Sequence, residues 1–174
     1  IEHEVKGAVM ATKAKNNIVK IGITDEHRQD VANELQLLLA DEHVLYVKTR
    51  NFHWNVEGLE FGVLHKFFEE QYNLLADWID EIAERIRYIG HYSTGSMYEF
   101  LQNTRLQEEN GGKLPATQML QKLLDDHQSI IRSIRESIDK VQDKDDDVGT
   151  GDFLTEILQK HEKIAWMIRA HLAQ

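Results

Sequence analysis

Cysteine is absent from the 174 residues, which removes disulfides, thiolate zinc sites and cysteine nucleophiles and fits a reducing, cytoplasmic setting. Proline occurs once and glycine ten times, too few for collagen-like, proline-rich or low-complexity chains. So few breakers also argue against an all-β sandwich, whose turns recur every ~8–12 residues. No apolar run nears the roughly 18–20 residues that span a bilayer, and no signal-peptide core precedes the first polar cluster. A soluble protein with no membrane partner is expected, and at this length a single globular domain.

Positive charge is scarce as well. Thirty acids face 20 Lys and Arg, for a net charge of −10, a balance that repels nucleic acid and attracts cations. Residues 1–24 are the exception, because Lys6, Lys13, Lys15 and Lys20 outnumber Glu2 and Glu4; this stretch carries +2 and the other 150 residues −12. A flexible basic N-terminal tail is expected over 1–24 and a helical domain over 25–174. The chain opens on Ile rather than Met, and a start at Met10 would leave a short tail with no acid before Asp25.

From Thr24 onward the periodicity is helical. Thr24 suits an N-cap, with Asp25 and Glu26 in the first turn, and Val31, Leu35, Leu38 and Leu45 mark the stripe that follows. A second helix is predicted from about Leu59 to Ile89, with a seam through Phe61, Leu64, Phe68, Tyr72, Leu75, Ile79, Ile82 and Ile86, and Gly90 as terminator. A short helix fits around Ser96–Asn103. Pro115 suits the first turn of a third long helix, whose seam is Leu120, Leu124, His127, Ile131, Ile134, Ile138 and Val141. The run Asp143–Gly151 breaks the pattern before a last helix carrying Leu154, Ile157, His161, Ile164, Ile168 and Leu172. Four long helices with one long middle connection predict an all-α four-helix bundle, with a short extra helix between the second and third.

The usual di-iron bundle takes Glu-x-x-His from two of its helices. None of the nine histidines here has an acid three positions before it, so an ordinary intrachain centre is unsupported. The second helix offers a different pattern. With His65 at zero, Glu69 falls at about 40°, Asp80 at about 60° and Glu84 at about 100° around the helix, beside the apolar seam. His65/Glu69 and Asp80/Glu84 are i,i+4 pairs, the spacing at which two side chains can hold one ion. The pairs lie about 22 Å apart along the axis, beyond the reach of one chain. Two antiparallel copies about a two-fold axis near residues 74–75 would bring each His65 end beside the partner's Asp80 end, with Ala76 permitting close approach. Imidazole plus carboxylate suits Fe, Mn or Zn rather than Ca or Mg. The competing reading is a solvated helix face in which Arg85 or Arg87 pairs the acids. His127 and His161 lie on apolar seams and suit satisfied core histidines, while His3, His27 and His91 belong to no constellation. The Asp145–Asp147 run is either a solvated loop or a guide for cations.

The stretch Asn51-Phe-His-Trp-Asn-Val-Glu-Gly58, followed by Leu64-His65-x3-Glu69, Asp80-x3-Glu84-Arg85 and the closing His161-Glu-Lys-Ile-Ala-Trp166, resembles the Dps family (DNA-binding protein from starved cells), the small ferritin-like ferroxidases. The resemblance covers about residues 25–172. It implies a ferritin-like bundle and metal ligands His53, His65 and Glu69 from one chain with Asp80 and Glu84 from its two-fold mate. Glu69 departs from the Asp that many members carry. Trp54 stands where family members are thought to dissipate oxidising equivalents, or it packs an interface. The resemblance further implies a hollow homo-dodecamer that admits Fe(II) through acidic pores, with Asp146, Asp147 and Asp152 at the matching positions. Iron would be oxidised preferentially by hydrogen peroxide, or by oxygen, and stored as ferric mineral; the same donors also suit Zn or Mn. DNA stays an open partner. A few tail lysines per chain matter only if many chains engage together. The alternative is a DNA-compacting structural protein of the same fold with little or no ferroxidase activity.

Overall fold

Thr24 begins the first long helix: its hydroxyl accepts the amide of His27 at 3.2 Å, and Asp25 and Glu26 sit at the positive end of the helix dipole. In the computed structural model, which describes residues 9–14, 18–110 and 112–173, α1 runs Asp25–Asn55, α2 Phe61–Tyr88, α3 Met97–Asn103, α4 Ala116–Asp139 and α5 Val148–Leu172. Helix α1 packs along α2 and α4 along α5, and the two pairs close through α1–α4 and α2–α5 contacts. The result is a four-helix bundle with α3 lying against α1 in the long connection, as the periodicity predicts. Among the described residues no helix is long and apolar enough to cross a membrane.

The helix ends follow local chemistry. Gly90, at φ +90°, ends α2 in the left-handed region. Ser96 and Glu99 form a reciprocal capping box that starts α3. The α3 exit is clamped to α1 through buried Asp41, which accepts from Thr104 Oγ1, Arg105 N and Arg105 Nε at 2.7–2.9 Å.

Three placements differ from the sequence pattern. In α4, Ile130 is fully buried and Ile131 and Ile138 only partly; α4 meets both α5 and α1, so its apolar arc is wider than one seam. Phe61, expected in the α2 seam, is 47% exposed, being the first helical residue beyond the core. The break at Asp143–Gly151 is shorter than expected. Five residues, Lys140–Lys144, continue α4 as a π turn, and α5 begins at Val148, capped by Asp147.

Residues 9–14 belong to the segment expected as a flexible tail, yet they lie on the bundle as a strap. Val9 exchanges two hydrogen bonds with the Asn103 side chain, at 2.6 and 3.2 Å. Ala11 donates to Asn33 and accepts from Gln29. Strand β1 (Thr12–Lys13) pairs antiparallel with β2 (His91–Tyr92), and Ala14 N donates to Gly90 O. Ala11 and Ala14 are buried, and Lys13 pairs with Asp25. The small side chains allow the approach, and polar side chains from α1 and α3 satisfy the strap's backbone. His3, Lys6 and Lys15 lie outside the described residues.

Candidate metal centre

His53 occupies the last turn of α1 and His65 the second turn of α2, and the short reversal between them carries Gly58 at φ +113°. Val56 anchors the reversal in the core at 2% exposure. The fold-back stacks the two imidazoles, with ring centroids 3.8 Å apart and an interplanar angle of 22°. Their hydrogen bonds are reciprocal. His53 Nδ1 donates to the backbone carbonyl of His65 at 2.7 Å, and His65 Nδ1 donates to that of His53 at 2.8 Å. The His53 carbonyl is among the last four of α1, which lack intrahelical donors. A carbonyl only accepts, so both Nδ1 atoms carry the proton and both Nε2 atoms keep a lone pair in the neutral ring. This is the outer-shell arrangement that fixes the tautomer and orientation of metal-binding imidazoles.

Aromatic side chains and one guanidinium flank the pair, and His53 itself is buried. Tyr72 meets His53 edge-on at 5.2 Å, and Phe61 lies 5.0 Å from His65. The Arg50 guanidinium sits 5.0 Å from Trp54, 5.3 Å from Tyr72 and 5.5 Å from Tyr46. Trp54, Leu59, Phe61 and Val63 are all exposed.

Glu69, Asp80 and Glu84 are exposed along α2, as their helical angles predict. None of them takes part in an ion pair among the described residues. The arginines that could have neutralised them are engaged elsewhere. Arg85 donates to Thr150 Oγ1 at 3.0 Å and pairs with Asp147 at 3.4 Å. Arg87 donates to His91 O and lies 4.5 Å over Tyr92. Glu84 accepts from the Tyr88 hydroxyl at 3.0 Å, and that bond to a carboxylate raises the Tyr88 pKa above its usual value. Within one chain, no group of three or more His, Asp or Glu among the described residues converges on a point where a metal ion could sit.

The three acids assigned to a pore have different fates. Asp146, at φ +56°, is exposed and lies 3.9 Å from His27 Nδ1. Asp152 is exposed. Asp147 is buried: it accepts from Thr150 N at 2.9 Å and Thr150 Oγ1 at 2.5 Å, and pairs with Arg85. Its charge is committed to the α5 cap.

His127 and His161 are core residues. Their Nδ1 atoms lie 2.8 Å apart, and His161 Nε2 lies 2.6 Å from Glu42 Oε1 with every member buried. Trp78 meets His161 edge-on at 5.1 Å. Burial, and then the neighbouring His161, push the His127 pKa well below its ordinary value. Glu42 was not singled out by pattern; its only sequence signal is an acid at i+4 from Leu38 on an otherwise apolar face.

The comparisons with known proteins bear on this geometry. A family model described as a ferritin-like domain matches residues 32–174. The chain is 46% identical to an uncharacterized low temperature-induced protein of Nostoc sp., over 88% of this chain and 86% of that protein. It is 38% identical to DNA protection during starvation protein 2 of Bacillus anthracis, over 84% of this chain and 99% of that one. Among solved structures it is similar to a Dps protein from Vibrio cholerae O1, described as a member of a broad superfamily of ferritin-like diiron-carboxylate proteins. That likeness has a TM-score of 0.83 and 32% identity, covering 96% of this chain and 100% of that one.

Proposed function

The chain belongs to the Dps family of ferritin-like proteins, and on that footing we propose that it is a ferroxidase that stores iron. Fe(II) is its substrate and ferric mineral its cargo. His53, His65 and Glu69 of one chain face Asp80 and Glu84 of a two-fold mate, giving two mixed nitrogen–oxygen sites per dimer and a hollow homo-dodecamer overall. The observation that carries this reading is the reciprocal locking of His53 and His65, which leaves a lone pair on the Nε2 of each ring. Carboxylates that no arginine neutralises stand farther along the same helix.

The chemistry follows from the residues. Neutral imidazole and carboxylate are the ligand forms that hold Fe(II). Two ferrous ions held close together each give one electron to hydrogen peroxide. The O–O bond breaks to two hydroxides, so no hydroxyl radical is released. Exposed Asp146 and Asp152 favour cation entry, and the −12 charge of residues 25–174 raises the local Fe(II) concentration. Trp54, exposed beside the His53 end, supplies an oxidisable ring for equivalents that escape the site. DNA is protected because Fe(II) and peroxide are consumed, with no contact required.

Replacing both acids (Asp80→Ala with Glu84→Ala) should abolish rapid peroxide-driven Fe(II) oxidation, read as the rise of ferric absorbance, while light scattering shows the particle mass unchanged. Unaltered kinetics in the double variant would remove the assignment.

A further inference from the structure

Tyr88 is the last residue of α2 and stands one helical turn beyond Glu84. Its hydroxyl donates to Glu84 Oε2 at 3.0 Å. With His65 at zero, Asp80, Glu84 and Tyr88 fall at about 60°, about 100° and about 140° around the helix, so the phenol continues the stripe of the candidate metal centre. The turn that carries it is held from both sides. Ile86 and Ile89 are buried in the core, and Ile89 N closes on Arg85 O and Arg87 O. Neither arginine competes for Glu84, since Arg85 is bound to Thr150 and Asp147 and Arg87 to His91 O. The Tyr88 ring is 63% exposed, so its contribution to the core is small. Of Glu69, Asp80 and Glu84, only Glu84 receives a hydrogen bond from a side chain among the described residues.

We infer that Tyr88 is a positioning residue for Glu84: its hydroxyl fixes the carboxylate's rotamer and occupies one lone pair of Oε2, leaving Oε1 to the metal ion. This rests on the ferroxidase reading above and adds to it a residue that does not itself touch the ion. An exposed glutamate samples many rotamers, and ordering it on an ion weakens binding by the freedom lost. A carboxylate already held by a phenol has given up part of that freedom beforehand, so less is lost when the ion arrives. The bond is also of the stronger kind, because a hydroxyl donates to an ionised oxygen. A phenol keeps its proton at neutral pH and an ionised carboxylate has none to give, so the direction of donation is fixed. His53 and His65 are oriented by the same device, each through a partner that is no ligand. Such outer partners are worth about 10–100-fold in metal affinity, and the exposure of Tyr88 puts it at the lower end. Because Tyr88 and Glu84 share one helix, the bond is in place in each chain before a mate supplies its imidazoles.

The test is a calorimetric titration of the intact, metal-stripped assembly with Zn²⁺ at neutral pH, a redox-inert probe suited to mixed imidazole and carboxylate donors. Tyr88→Phe keeps the ring and removes the hydroxyl. It should weaken Zn²⁺ binding about tenfold while the unfolding temperature of the metal-free protein stays the same. In peroxide-driven Fe(II) oxidation it should raise KM and leave kcat unaltered, because the interaction lost is one made with the bound ion before and during reaction alike. A folding defect would instead reduce the active fraction, lowering kcat at constant KM. In a Glu84→Ala background Tyr88→Phe should have no further effect, because the hydroxyl then has no carboxylate to hold. The inference is overturned if Tyr88→Phe binds Zn²⁺ as tightly as the unaltered protein, if its effect persists without Glu84, or if kcat falls at constant KM. Should the Asp80→Ala, Glu84→Ala double variant bind Zn²⁺ undiminished, the metal centre itself is misplaced and this inference falls with it. A silent Tyr88→Phe beside a double variant that has lost Zn²⁺ sinks the inference alone, so the two failures are separable.

Discussion

His53 and His65 hold each other in place: each imidazole donates from Nδ1 to the other's backbone carbonyl, at 2.7 and 2.8 Å, across rings stacked 3.8 Å apart. Neither ring can turn without breaking the bond its Nδ1 makes and the stacking between the two rings. A pair locked in this way offers its remaining nitrogens at no further orientational cost, the preorganisation that a metal site needs.

If imidazoles and acids meet only across a two-fold axis, two inactive chains should rescue one another. A His65→Ala chain co-assembled with an Asp80→Ala, Glu84→Ala chain forms mixed dimers in which one site carries every lesion and the other is intact. Random mixing of equal amounts should restore about a quarter of the unaltered Fe(II) oxidation rate, against none for either variant alone. A site confined to one chain would show no recovery.

Acid should destabilise the bundle through its buried histidines. His127, His43 and His91 all have pKa values lowered chiefly by burial. A histidine with a folded pKa below its unfolded value of about 6.5 adds stability above that pH, and this is lost as pH falls towards the folded value. Each contributes at most about 1.4 kcal/mol per pH unit in that window. Unfolding temperature should therefore fall between pH 7 and pH 5, and His127→Gln, whose amide can still donate to His161, should flatten the slope. An identical slope in the variant would clear His127.

The N-terminal strap hangs on one side chain more than any other. Asn103→Ala deletes both hydrogen bonds to Val9, a loss of roughly 1 kcal/mol for each. The rest of the strap is held by single bonds from Ala11 to Asn33 and Gln29, the Lys13–Asp25 pair and a β pairing of only two residues per strand. Limited proteolysis should then cut within residues 9–14 several-fold faster, leaving residues 25–173 intact. Equal cleavage rates would show that Gln29, Asn33 and the short β pairing suffice.

The four long helices were legible because each buries a stripe with a 3.6-residue period, and Thr24, Gly90 and Pro115 punctuate them, as Ser96 does the short α3, with local chemistry that needs no tertiary partner. The acids of α2 were legible for the same reason, since angle around a helix is a property of spacing alone. The strap was not. Its hydrogen bonds join Val9 to Asn103 and Ala11 to Asn33, and no periodicity in an irregular, lysine-bearing stretch reports such distant partners. Asp147 was also beyond reach, because a run of three aspartates looks alike along the chain while only the α5 cap and Arg85 single one out.

Length, composition and hydrophobic period by themselves determined an all-α bundle, its helix order, and the face of α2 on which His65, Glu69, Asp80 and Glu84 stand. The tertiary structure alone decided which polar groups have partners. It turned Arg85 and Arg87 away from the α2 acids, crossed the hydrogen bonds of His53 and His65, buried Glu42 against His161, and left one oxygen of Asp145 without a donor. The physical reason is that a helix face follows from the regular geometry of a single segment, whereas a hydrogen bond depends on atoms a few ångströms apart in space and a hundred residues apart in the chain.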